Sequence, residues 1–299
     1  MEIEVARLTA GVWQKSKIQN RLSPDGEKSK IQSPTWTIWV GVLVLAIYLA
    51  LLPFVEQTWR ATGDEPHYLL AAHSLVNDLD FDLTNNYDQL DYLNFYFSKD
   101  ITRQIRLSPT GQQILDHQLG LPVLIAPAYA LAGRWGVLAF QAALGGLLAM
   151  LTFKLAVLIS RDEMASLLAT LFVTLSPPLL MYQYLVYPEL LGAFLTTLIL
   201  YYAISQGRPM PTSVILVLFS LITLPWLNRR FIPLAIMLAL LSAWAWRRGD
   251  GRHRALWVLE GFVLRLSPKG CRDVSFASRV YCLYPHGHRP STVYSMSLS

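Results

Sequence analysis

The chain has 299 residues, of which 53% are hydrophobic and 15% are charged, with a formal net charge of +5. Soluble globular domains carry about 25% charged residues, so this composition excludes an ordinary soluble enzyme and indicates a membrane protein. Positive charge collects in residues 1–34, with six Lys/Arg, and in residues 247–254, with four. That distribution suits membrane topology and does not indicate nucleic-acid binding.

The first apolar segment, Thr35–Phe54, contains no charged residue over its twenty positions. Twenty apolar residues are enough to cross a hydrocarbon core of about 30 Å. The segment follows a polar tail of 34 residues and is too long for the apolar region of a signal peptide. We therefore interpret it as an uncleaved first span.

A long acidic loop follows this span. Residues 55–118 hold ten acidic and four basic side chains, a net charge of −6. Apolar residues at Leu69, Ala72 and Val76 recur at helical spacing and predict a helix from about Asp64 to Asn77. Loops of this length between helices are usually functional.

Five more apolar segments predict an all-α polytopic membrane protein with about six spans. A shorter one, Val123–Leu131, is expected to lie along the membrane surface with the loop helix. The basic flanks place both termini in the cytoplasm of a plasma (inner) membrane and the loop 55–133 outside. The further spans are expected at 135–159, 164–182, 190–204, 212–227 and 231–246.

The acidic pair Asp64 and Glu65 allows two interpretations. Thr62 and Glu65 have the spacing of a helix capping box, and an acidic residue at a helix N-terminus is favoured by the dipole. The pair also stands beside His67 where a span meets water, which suits acid–base chemistry. A carboxylate that caps a helix is a poor base, so we expect one to cap and the other to face a cleft.

Three short motifs carry a resemblance. Gly63-Asp64-Glu65 is followed by His67-Tyr68-Leu69, the run His117–Tyr129 reads HQLGLPVLIAPAY, and Tyr187-Pro188-Glu189 precedes a later span. Together with the long loop, these resemble the GT-C glycosyltransferases, and more narrowly the protein O-mannosyltransferase and aminoarabinose-transferase branch. The likeness covers about residues 35–246.

The resemblance implies transfer of a sugar from a polyprenyl-phosphate donor to an unknown external acceptor. Asp64 matches the family's acidic residue that acts as general base or acceptor-positioning group, with Glu65 beside it and Glu189 as a candidate second carboxylate. A lipid-phosphate leaving group needs cations, and no nucleotide-binding motif or nucleic-acid partner is expected. No cofactor is required, although Asp64, His67 and Glu189 could hold a divalent cation. The candidate substrate-binding residues are His67, His117, Lys99, Arg103, Arg229 and Arg230.

Other interpretations remain open at this point. Glu189 could mark a membrane boundary beside Pro188, and Arg229 with Arg230 could be snorkelling anchors. The whole chain could be a non-catalytic polytopic protein, such as a transporter, but its acidic residues collect in one loop rather than in the spans, which favours an enzyme.

The C-terminal region from residue 247 is basic, and from about Gly261 it loses the hydrophobic pattern. We expect residues 261–299 to be poorly ordered. A truncated or frame-shifted end, and hence an inactive fragment, would explain why the pattern stops there. Cys271 and Cys282 lack the close spacing of a zinc site.

Overall fold

The computed structural model describes residues 34–205 and 210–248. The expectations for the polar N-terminal tail, for residues 261–299 and for the two cysteines lie outside those ranges. The described elements are α1 (Pro34–Thr58), α2 (Glu65–Asn77), α3 (Thr84–Asp88), β1 (Ile105–Leu107), β2 (Gln113–Leu115), α4 (Gly120–Ser160), α5 (Glu163–Leu175), α6 (Pro177–Tyr182), α7 (Pro188–Ser205), α8 (Pro211–Leu227) and α9 (Ile232–Arg248), with 3-10 turns at Asp91–Asn94 and Arg229–Phe231.

The described chain is mostly helical, as expected, and four of its helices are long and apolar enough to cross a membrane. These are Thr35–Thr58, Gly120–Ser160, Pro188–Ser205 and Arg229–Arg247. The length and composition of these helices thus confirm the prediction of a membrane protein.

Two of the six predicted spans correspond to shorter helices, α5 with 13 residues and α8 with 17. The segment predicted at 164–182 is divided because Ser176 is extended (φ −71°, ψ 151°) ahead of Pro177. A residue before proline is disfavoured in the helical region. The total of six spans stays a prediction.

Helix α4 is two helices joined at a sharp bend. Ala132 and Gly133 leave helical geometry, and Gly133 has φ 56° and ψ −139°, a conformation that favours glycine. A Cβ added at Gly136 would lie 2.0 Å from the Ala128 carbonyl oxygen. Eight residues span about 12 Å in a straight helix, so the chain turns abruptly here. The bend falls between the predicted surface segment and the predicted span.

Helix α4 is the centre of the packing, since it contacts α1, α2, α5, α7 and α8. Glycines allow its close approach to α1, where a Cβ on Gly41 would collide with Met150 and one on Gly146 would lie 3.0 Å from the Gly41 carbonyl oxygen. The Tyr48 hydroxyl donates to the Thr174 carbonyl at 2.6 Å. This bond ties α1 to α5 inside an otherwise apolar cluster.

The long loop, which we define as residues 59–119, folds through short elements. Helix α2 begins and ends close to its predicted bounds, with Leu69 and Ala72 buried. The antiparallel hairpin of β1 and β2, with Arg106 opposite Ile114, was not expected. Three-residue strands are too short to show a periodic pattern in sequence.

The long loop closes over one end of the helix bundle. That end contains the C-terminus of α1, the link between α6 and α7, and the link between α8 and α9. Helix α2 reaches the first link through a bond from Val186 to Glu65. Gly120 lies against the Trp226 backbone, where a Cβ would be 2.5 Å from the carbonyl oxygen. These contacts bring the three predicted motifs to the same end of the bundle.

Candidate active site

Gly63 and Tyr187 fix the start of helix α2. Gly63 has φ 59°, and a Cβ added there would lie 2.4 Å from the Tyr187 hydroxyl oxygen. The same hydroxyl oxygen accepts the Asp64 N–H at 3.1 Å. A residue with a side chain at position 63 would therefore be both strained and in collision.

Glu65 is buried and holds two backbone groups. The residue as a whole is 1% exposed. One carboxylate oxygen accepts the Thr62 N–H at 3.0 Å, and the other accepts the Val186 N–H at 2.8 Å. Burial raises its pKa, and the two backbone bonds oppose that rise. Of the predicted acidic pair, Glu65 is therefore the residue whose carboxylate accepts hydrogen bonds from the backbone.

Asp64 has a different environment although it is the adjacent residue. It stands at the N-cap position of α2 but makes no side-chain capping bond. Its carboxylate is 37% exposed, and Oδ2 lies 3.8 Å from His117 Nε2. Oδ1 accepts a hydrogen bond from Gln104 Nε2 at 2.9 Å. This carboxylate faces the long loop and solvent instead of the helix backbone.

Gln104 joins Asp64 to His117. Its amide oxygen lies 2.5 Å from His117 Nε2. The Gln104 carbonyl accepts the Asp116 N–H at 3.1 Å, which extends the hairpin ladder by one pair. The hairpin register therefore places Gln104 beside His117. Sequence reasoning missed Gln104 because no local pattern pairs residues 40 positions apart.

Aromatic rings line this group. The Tyr68 ring lies 5.2 Å from His117 and 6.3 Å from Tyr187, centre to centre. Burial raises the pKa of the Tyr68 phenol, the charges of Asp64 and Glu189 raise it further, and Arg230 lowers it. Two predicted residues from later helices thus act electrostatically on the same phenol.

Glu189 lies in the first turn of α7. Its Oε2 is buried and has no hydrogen-bond partner within the described ranges. The residue lines a largely apolar cavity of about 460 Å³ with Tyr182 and Leu148. An unpartnered buried carboxylate oxygen is costly, which marks this as a position where a donor group from another molecule would be favoured.

His67 belongs to the core of the long loop. It is 2% exposed, and its Nδ1 lies 2.7 Å from the Tyr87 hydroxyl. Burial lowers the pKa of His67 to about 4, so the ring is neutral at pH 7. The predicted role of His67 in substrate binding is therefore not supported, because almost none of the residue is exposed.

The predicted cations occupy two places. Arg103 pairs with Asp88 at 2.7 Å and covers the Tyr87 ring at 5.1 Å. With Lys99 it lines a polar cavity of about 400 Å³ in the long loop. Arg229 and Arg230 are exposed in the turn between α8 and α9.

Arg134 is a cation that the sequence reasoning did not single out. It follows the α4 bend, is 6% exposed, and forms an ion pair with Glu56 of α1. Its Nε has no partner among the described residues. Arg134, Arg60 and Glu65 line a mainly apolar cavity of about 490 Å³. An arginine embedded in an apolar segment is itself a functional signal.

A metal site is not assembled from the described residues, in which no three His, Cys, Asp or Glu side chains converge. The Asp64, His67 and Glu189 set is therefore not gathered as metal ligands. The expectation of a divalent cation gains no support from this geometry.

No protein-family model, curated protein or solved structure matches the chain.

Proposed function

We propose that this protein is a membrane glycosyltransferase that moves a sugar from a polyprenyl-phosphate donor to an external acceptor. Asp64 is the general base. The observation that carries the proposal is the division of the acidic pair, in which Glu65 binds backbone and Asp64 keeps a half-exposed carboxylate. In this proposal the long loop faces the outside of the plasma (inner) membrane and both termini face the cytoplasm.

The environment of Asp64 supports acid–base chemistry. A base must be ionised and must have an oxygen that a substrate can approach. Gln104 supplies one hydrogen bond to Oδ1, Oδ2 lies 3.8 Å from His117 Nε2, and the side chain is 37% exposed. An acceptor group at Oδ2 would lose a proton as it attacks the anomeric carbon. Attack from the face opposite the lipid phosphate would invert the sugar.

The Arg134 cavity supports binding of the donor. Its lining joins apolar and aromatic side chains to Arg60 and to the buried Arg134, whose Nε lacks a partner. Three lining residues, Trp59, Phe97 and Met181, are each at least 55% exposed. A lipid chain would cover that apolar surface, and the guanidinium groups would stabilise the phosphate as it leaves. Thr62 and Glu65 also line the cavity, so it reaches the backbone on either side of Asp64.

The test is transfer of labelled sugar by membranes that contain the full chain. The donors are polyprenyl-phosphate mannose and polyprenyl-phosphate aminoarabinose. Asp64→Asn should lower transfer by about 10²–10⁴-fold, which is the range for losing a general base. The matched control is Asp80→Asn, an exposed carboxylate in the same loop, which should leave transfer unchanged.

Two results would overturn the proposal. One is near-normal transfer by Asp64→Asn. The other is the absence of transfer from either donor when the unaltered protein is inserted in the membrane. Equal loss in the Asp80→Asn control would point to a general effect of loop charge instead of a base.

A further inference from the structure

We infer that Asp64, Gln104 and His117 form an acceptor subsite for an uncharged hydroxyl group, with Gln104 as the positioning residue. This inference rests on the proposed function and deepens it by naming the acceptor's chemical class. It is carried by three contacts: Gln104 Nε2 to Asp64 Oδ1 at 2.9 Å, Gln104 Oε1 to His117 Nε2 at 2.5 Å, and His117 Nε2 to Asp64 Oδ2 at 3.8 Å.

The Gln104 amide can satisfy both neighbours in one orientation. An ionised carboxylate only accepts hydrogen bonds, so the amide NH₂ must face Asp64. The amide oxygen then faces His117 and requires a proton on Nε2. Gln104 thereby fixes a neutral His117 as the Nε2–H tautomer. Its own position is fixed in turn, because its carbonyl is part of the hairpin ladder.

This arrangement leaves Asp64 Oδ2 as the oxygen for the acceptor. Within the described ranges Oδ1 accepts from Gln104, whereas Oδ2 is beyond hydrogen-bond distance from His117 at 3.8 Å. An acceptor hydroxyl donates its proton to Oδ2, and its oxygen bonds to the anomeric carbon. The bond from that carbon to the phosphate oxygen breaks, and the electron pair leaves with the lipid phosphate. Asp64 later returns the proton to water.

Local charge selects the class of acceptor. The titratable groups beside Asp64 are the adjacent Glu65 together with His67, His117, Tyr68 and Tyr187, and no fixed cation forms an ion pair with it within the described ranges. Farther from Asp64, the charge of Glu189 raises the pKa of Tyr68 and the charge of Arg230 lowers it.

The wider surroundings favour the same class. Residues 55–118 carry ten acidic and four basic side chains, a net −6, and Arg103 is already paired with Asp88. Beside the Asp64 carboxylate a phosphate monoester would be repelled and, already ionised, would not need a base, whereas the donor phosphate would be bound by Arg60 and Arg134. A hydroxyl needs a base.

The first test compares two acceptors of similar size, octyl glucoside and octyl phosphate, with labelled polyprenyl-phosphate mannose or polyprenyl-phosphate aminoarabinose as donor. Label should appear on octyl glucoside at least tenfold faster. Faster transfer to octyl phosphate would overturn the acceptor class while leaving the proposed transferase activity intact.

The second test examines Gln104 as a positioning residue. Gln104→Leu removes the donor that stabilises ionised Asp64, so the acidic limb of the pH–rate profile should move to higher pH. Gln104→Glu adds a like charge and should move it further. Gln112→Leu, in the turn of the same hairpin, is the control. If the pH–rate profiles of both Gln104 variants were unshifted and Asp64→Asn were inactive, the positioning role of Gln104 would be refuted. The general-base role of Asp64 would stand.

A third measurement does not depend on activity. Nitrogen-15 NMR of labelled histidine in lipid nanodiscs should show His117 as the Nε2–H tautomer above pH 7, assigned by its loss in His117→Gln. Gln104→Leu should release this preference, and Gln112→Leu should keep it. An Nδ1–H tautomer in the unaltered protein would contradict the bridge.

Discussion

The long loop and the helix bundle are stabilised in different ways. In the loop, polar side chains bind backbone and one another: Asp82 accepts from Thr84 and Gln113, and Ser74 donates to Asp80. In the bundle, contacts are mainly apolar, and large hydrophobic residues such as Phe172 remain 78% exposed. The polar side chains of the loop suit contact with water, and the exposed apolar side chains of the bundle suit contact with lipid.

This difference indicates where a substitution is costly. A polar loop contact has a defined geometry, and losing one partner leaves the other unsatisfied. A lipid-facing side chain has no such partner in the protein. The largest effects are therefore expected where the two regions meet, and the smallest on the outer face of the bundle.

The largest effect is expected from Arg134→Met at the junction. Removing Arg134 leaves Glu56 without its ion-pair partner. Breaking a fully buried pair costs about 3–5 kcal/mol, which is an upper limit here because the Glu56 side chain is 15% exposed. Thermal unfolding of detergent-solubilised protein would show a large drop in melting temperature. The double variant Glu56→Met/Arg134→Met should recover most of it. If the single and double variants were equally unstable, the unpaired charge would not be the cause.

Glu65→Leu should have the next largest effect. It orphans the buried N–H group of Val186, at about 1–3 kcal/mol, whereas the N–H group of Thr62, an exposed residue, can bind water instead. Limited proteolysis should then cut the loop near α2, where the unaltered protein resists. Glu163→Gln, in the first turn of α5, is the comparison and should keep resistance. A loop that stays protected in Glu65→Leu would show that the two bonds contribute little.

The acid stability of the loop should depend on His67. Its pKa is about 4 in the folded protein and 6.5 when unperturbed, so the unfolded chain binds more protons in between. Stability is therefore present above pH 6.5 and is lost as the pH falls toward 4, by up to about 3 kcal/mol. Burial raises the pKa of Glu65 and acts in the opposite direction, so variants must be compared with one another.

His67→Gln can keep the bond to Tyr87 and should flatten the fall in melting temperature between pH 6.5 and 4. His73→Gln is the matched control, on the same helix but more exposed, at 18% of its side chain. If the melting temperature of His67→Gln fell with acid as in the unaltered protein, the buried His67 ring would not be the source of the acid sensitivity.

The smallest effect is expected on the outer face of α5. Phe172→Ala should change the stability of the solubilised protein by no more than about 0.5 kcal/mol, because the side chain is 78% exposed. Leu138→Ala, at a position 0% exposed in α4, should by contrast cost about 2 kcal/mol or more through its cavity. Equal losses would contradict the assignment of α5's outer face to lipid.

The sequence by itself determined the regular parts of this protein. Apolar runs located the main helices, and helical spacing located α2 with its buried Leu69. Both signals are local, because helix formation depends on neighbours three or four positions apart. The capping spacing of Thr62 and Glu65 was local too, and the backbone contact at Thr62 follows it.

Only the tertiary structure decided that Glu65 binds a second, distant backbone group and that Asp64 stays open. Glu65 is fixed by Val186, 121 residues away, and Asp64 by Gln104, 40 residues away. It also decided that Arg134 lies buried against Glu56, since the bend at Gly133 brings α4 to the end of α1. Such contacts depend on how the chain folds back on itself, and hydrophobic periodicity carries no information about them.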